Sequence, residues 1–126
     1  MKQPIFISSS FLDKDVVFNL ANKLNEINLN SFVDFLAIET NQDWEEVFLD
    51  KIKTSKVFVN LISRNYINSK CAMIEWGAAL ALDKPIISII IDDVSMPFNL
   101  QNRRLTTYSS KKIDSKELID VIRSYT

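Results

Sequence analysis

The feature that most constrains this chain is an alternation. Short apolar runs, each long enough for one strand, are separated by stretches whose apolar residues recur at helical spacing. The runs are residues 4–8 (PIFIS), 31–35 (SFVDF), 56–62 (KVFVNLI) and 85–91 (PIISIII). Residues 13–28 read as a first helix capped by Asp13, with Val16, Val17, Leu20, Leu24 and Ile27 as its inner stripe. Residues 43–54 read as a second, with Asp43 as cap, Glu46 three residues on, and Trp44, Val47, Phe48 and Ile52 inward. Residues 69–83 form a third, and 115–124 a last, with Leu118, Ile119 and Ile122 inward. Residues 105–108 suit a short fifth strand after the irregular stretch 92–104. The third and fourth runs are apolar throughout, as strands covered on both faces are.

Strand–helix alternation of this kind builds a parallel sheet with helices on both faces. Five strands suit a flavodoxin-like three-layer α/β sandwich of order 2-1-3-4-5, and 126 residues suit one domain, 1–126. Ligands on such sheets bind at the carboxyl ends of the strands, where the strand order reverses. The loops at 8–12, 36–42 and 63–68 would meet there.

Composition removes several chemistries. Fifteen basic and sixteen acidic residues leave a net charge of −1, so nothing draws the chain toward nucleic acid or an anionic membrane. There is no His, which excludes a Ser-His-Asp triad and leaves no basis for a metal site. The single Cys71 excludes an internal disulfide and fits a reducing, cytoplasmic setting. One glycine, Gly77, cannot build a glycine-rich phosphate loop. Residues 1–10 lack the pattern of a signal peptide, and the apolar run 86–91 is too short to span a bilayer.

The third helix carries the one anomaly. Ser69 is placed to cap it, and the run SKCAMIEWGAALALD is apolar except for Glu75 at its middle. Helical spacing groups Cys71, Glu75, Ala78, Ala79 and Leu82 on one face. A carboxyl group on a core-facing side is costly unless paired, hydrogen-bonded or open to a cleft. A helix that is apolar all round does not define its buried face, so a rotation that turns Glu75 to water stays open.

Taken in order, Phe6-Ile7-Ser8, Asp34 after the second strand, Asp43-Trp44, Ser63-x-x-Tyr66, and Ser69…Glu75 followed by Gly77-Ala78-Ala79 resemble the Toll/interleukin-1 receptor (TIR) domain family, above all its bacterial members. The resemblance covers nearly the whole chain. It implies the flavodoxin-like fold and, as in many bacterial and plant members, cleavage of NAD+ at the nicotinamide–ribose bond, with cyclisation of the product in some. NAD+ would be substrate, with no cofactor. Glu75 matches the catalytic position. Ser9, Ser10, Phe11, Phe35, Glu39, Trp44 and Cys71 fall where relatives contact the nucleotide, Glu39 within the loop that closes over it. Family members work through TIR–TIR self-association, some with a sensor domain or partner protein, in antiphage defence or cell-death signalling. The chain departs from bacterial relatives in having Cys71 and Ala72 where Trp-Cys is common, Asn41 for a loop glycine, and no Arg after the first-strand Ser.

Each candidate also has a plainer reading. Trp44 can be core, Cys71 a small buried filler, Asp34 a loop brace, Ser8–Ser10 a strand terminus, Tyr66 a loop anchor with its hydroxyl at the surface, and Arg103-Arg104 a solvated pair. Two other functions remain as alternatives: a non-catalytic TIR module that signals by self-association, and a nucleoside deoxyribosyltransferase-like enzyme. Residue 126 follows the last helix directly, which fits either a stand-alone domain or a piece of a longer chain.

Overall fold

The computed structural model describes residues 4–36, 44–95, 105–109 and 116–126. Among them are five strands: β1 (Ile5–Ser8), β2 (Ser31–Val33), β3 (Val57–Ile62), β4 (Ile86–Ile90) and β5 (Leu105–Ser109). They form one parallel sheet of order β2-β1-β3-β4-β5, as the alternation predicts. Parallel neighbours need long crossovers, which the helices provide. These are α1 (Lys14–Glu26), α2 (Trp44–Thr54), α3 (Arg64–Ile67), α4 (Lys70–Ala81) and α5 (Lys116–Ser124).

Strand alternation sorts the core into two layers. Ile5 and Ile7, with Val57, Val59, Ile87 and Ile89, pack against Val17, Leu20 and Leu24 of α1 and Leu118 and Ile122 of α5. Phe6, Phe58 and Ile86 point the other way, onto Phe48 and Ile52 of α2 and Trp76 of α4. Phe6 stacks on Phe58 with centroids 5.4 Å apart. Fully burying an aliphatic or aromatic side chain is worth about 1.5–3 kcal/mol, so two filled layers clamp the sheet from both sides.

The structure corrects the sequence reading at several points. The second strand ends at Val33, because the Asp34 carboxyl takes the backbone N–H of Phe35 (2.8 Å) and turns the chain into a 3₁₀ turn, Asp34–Leu36. Residues 63–68 are not a plain loop. Ser63 caps α3 by accepting the N–H of Tyr66, and Tyr66 is fully buried with its hydroxyl inside, not at the surface. Asp13 precedes α1 but makes no cap bond. Its carboxylate instead accepts from Ser63 Oγ and Asn65 Nδ2, tying the first loop to α3. Ser10 opens a 3₁₀ turn (Phe11–Asp13) ahead of α1. Asp43, Asn41, Pro97 and Arg103-Arg104 lie outside the described residues.

On α4, Ser69 caps as expected, accepting the N–H of Ala72 (3.2 Å). The buried face is Ala72, Glu75, Trp76 and Ala79. Cys71 is exposed and Leu82 lies near the surface, so the expected face is rotated by about one residue and the reading of Cys71 as buried filler fails. The indole of Trp76 takes the core position that decides the rotation.

Candidate functional site

Glu75 is the centre of the site. It is 1% exposed, so the rotation that would turn it to water does not occur. α4 packs on the same face of the sheet as α2, with Ala72, Trp76 and Ala79 in the layer that holds Phe6 and Phe58, and its Glu75 reaches the end of β1. Ser8 is the last residue of β1, and its Oγ donates to Glu75 Oε1 at 2.7 Å. The Tyr66 hydroxyl of α3 lies 2.9 Å from the same Ser8 Oγ. Tyr66 is held in turn by ring contact with Trp76, at 5.9 Å between centroids.

The Glu75 carboxyl also shares a hydrogen bond with the side chain of Asp34, at the end of β2. Asp34 is itself buried and accepts the backbone N–H groups of Phe35 (2.8 Å) and Ser9 (3.5 Å). No protein N–H or O–H donates to Glu75 Oε2. Two carboxyl groups facing each other cannot both ionise cheaply, so they share a proton. Burial and the adjacent Asp34 push Glu75 up from 4.5 to about 10, and burial raises Asp34 to about 6. The backbone N–H groups favour charge on Asp34, which leaves the shared proton on Glu75. Tyr66 and Cys71 nearby are also raised, chiefly by burial. Glu45 of α2 and Glu75 both line a cavity of about 230 Å³ whose other walls are Phe48, Leu49, Ile52, Ile74 and Ala78.

Ser8 and Tyr66 end a longer polar line. Ser8 is in register with Asn60 of β3, and Asn60 with Ser88 of β4. All three are fully buried on the α2–α4 face. Ser88 Oγ donates to Asn60 Oδ1 at 2.7 Å, and the Asn60 side chain interacts with the Tyr66 hydroxyl. Sequence reasoning weighed Ser8 as a strand terminus and passed over Asn60 and Ser88. The available signal was one polar residue inside each of two otherwise apolar runs.

The remaining expected residues divide. Ser9 is buried and braces Asp34 through its backbone, while Ser10 accepts the N–H of Leu12 and serves its turn. Phe11 is 57% exposed and meets half-buried Phe35 edge-on at 5.4 Å, an aromatic step beside Asp34. Cys71 sits one turn before Glu75 on the exposed side of α4, near enough for the Glu75 and Asp34 carboxyls to raise its thiol. Glu39 and the side chain of Trp44 lie outside the described residues.

A buried carboxyl pair at the strand tips of a doubly wound sheet offers one group to carry charge and one to hold or take a proton. Comparison with known families matches the TIR domain over residues 5–120. Comparison with curated proteins gives no match. Among solved structures, the fold is similar to the TIR domain of the Toll-related receptor TRR-2 from Hydra magnipapillata (TM-score 0.81, 18% identity, 98% of each chain covered). It is also similar to the CMP N-glycosidase BcmB of Clostridium botulinum (TM-score 0.67, 17% identity, 94% of this chain and 97% of that one). A prokaryotic SEFIR domain is a third neighbour (TM-score 0.64, 22% identity, 94% and 90%).

Proposed function

The chain belongs to the TIR domain family, and from that premise we propose that it is an N-glycosidase that cleaves NAD+ at the nicotinamide–ribose bond. The observation that carries this reading is the Glu75–Asp34 pair, buried at the ends of β1 and β2 and held by Ser8.

Nicotinamide leaves NAD+ as a neutral molecule. The electron pair of the C1′–N bond moves onto the ring nitrogen, and no acid is needed. Positive charge develops on C1′ and the ribose ring oxygen. As this cation forms, Glu75 passes its proton to the Asp34 carboxylate beside it; the Glu75 carboxylate so formed stabilises the charge and accepts a ribose hydroxyl in a setting poor in water. Water then attacks C1′ and gives up a proton, which the carboxyl pair takes and releases, leaving ADP-ribose. Attack by the adenine ring instead gives a cyclic isomer. Phe11 and Phe35 offer a base an apolar step beside the pair.

A second substrate class has specific support. The proton held on Glu75 suits a neutral pyrimidine leaving group, which must be protonated as it departs. The similarity to a CMP N-glycosidase points the same way. The test is to incubate concentrated, crowded protein with NAD+ and, separately, with CMP, and to separate the products by chromatography. Nicotinamide release is expected from the native chain, and a loss of about 10²–10³-fold in Glu75→Gln. Free cytosine with intact NAD+ would move the assignment to nucleotide hydrolysis. Undiminished nicotinamide release by folded Glu75→Gln would remove Glu75 from the chemistry. With neither substrate cleaved, the reading reverts to a module that signals by self-association.

A further inference from the structure

We propose that Tyr66 is a positioning residue for Glu75, acting through Ser8 as a one-way hydrogen-bond relay. This deepens the glycosidase reading and rests on it. Ser8 has one hydroxyl proton, and at 2.7 Å that proton is given to Glu75 Oε1. The 2.9 Å bond between Ser8 Oγ and Tyr66 must then be donated by Tyr66. The order is Tyr66 O–H to Ser8 O–H to Glu75 Oε1. On the far side the Tyr66 hydroxyl interacts with Asn60, whose Oδ1 is committed to Ser88. Every member is buried, so bulk water is kept from the line.

The relay has two effects. It pins Oε1, so that Oε2, to which no protein N–H or O–H donates, is the oxygen left for substrate. It also lends positive character to the Ser8 proton, since hydrogen bonds in series polarise one another. That favours the ionised form of Glu75 at the moment charge develops on the ribose. Tyr66 touches no reacting atom in this scheme. Its phenol is too firmly protonated by burial to act as a base, and it works only as a donor.

The variants that isolate the relay are Tyr66→Phe, Ser8→Ala and the double variant. Tyr66→Phe keeps the ring against Trp76 and removes one oxygen. We expect kcat to fall about 10-fold in Tyr66→Phe and about 100-fold in Ser8→Ala, with KM nearly unchanged. The double variant should be no worse than Ser8→Ala, because a relay cut once cannot be cut again. The second readout needs no turnover. Titration of ¹³C-labelled glutamate carboxyls by NMR should show Glu75 losing its proton at higher pH in both single variants than in the native chain. If Tyr66→Phe does not fold, 3-fluorotyrosine at position 66 keeps the geometry, makes a stronger donor and should shift Glu75 the opposite way. Additive losses in the double variant, or a Glu75 titration unmoved by Tyr66→Phe or by the fluorinated ring, would overturn the relay. If the native chain cleaves neither NAD+ nor CMP, the glycosidase reading fails by itself and the titration still judges the relay.

Discussion

At the scale of single residues, the site is governed by one proton between two acids. The negative charge on Asp34 is a main reason, after burial, that Glu75 holds its proton. Asp34→Asn removes that charge at nearly constant shape. Glu75 should then ionise at lower pH, and the rising limb of kcat/KM against pH should move to lower pH with it. A limb that stays where it is in Asp34→Asn would show that another group sets it. Glu75 was visible in the sequence because a carboxylate in a run as apolar as CAMIEWGAALA has few innocent places to go. Its partners were not. Ser8 looked like the end of a strand and Tyr66 like part of a polar loop, SRNYIN, because a sequence does not say which strand ends meet. Both roles depend on β1 lying between β2 and β3.

At the scale of elements, α4 shows how far periodicity carries. Its start was readable from Ser69, a local signal whose hydrogen bond needs nothing beyond three residues. Its rotation was not, because an almost uniformly apolar helix has no preferred side until a large ring finds a hole. Trp76 found it, and Cys71 was turned outward. The short helix α3 was missed for a related reason: a single turn has no periodicity to detect, and only Ser63 marks it. Gly77 gives a clean test of the helix. A methyl group added there meets nothing within 4 Å. Glycine inside a helix costs about 0.5–1 kcal/mol relative to alanine, so Gly77→Ala should stabilise the protein by that amount. Denaturant unfolding at equal slope would measure it, and a loss of stability would mean that the glycine answers to a contact outside the fold.

At the scale of the whole molecule, the sheet order and its two helical layers were legible because hydrophobic alternation is repeated four times and allows few topologies. The site's own electrostatics then act on global stability. Glu75 ionises near 4.5 when unfolded and only near 10 when folded. Between those values the folded chain binds the extra proton, so this group's contribution is fully present below about 4.5 and is lost as pH rises toward 10. Asp34 acts in the same direction between 3.8 and about 6. Glu75→Gln removes the larger dependence. It should melt higher than the native chain at pH 8, by about 2–8 °C, with the gap closing near pH 5. Equal melting curves at pH 8 would show that the buried acid carries no such penalty. The pair also has a consequence for synthesis. Asp34 leaves the ribosome long before Glu75, and the two meet only once α4 lies against the sheet. A product cut short before α4 therefore has no assembled acid pair.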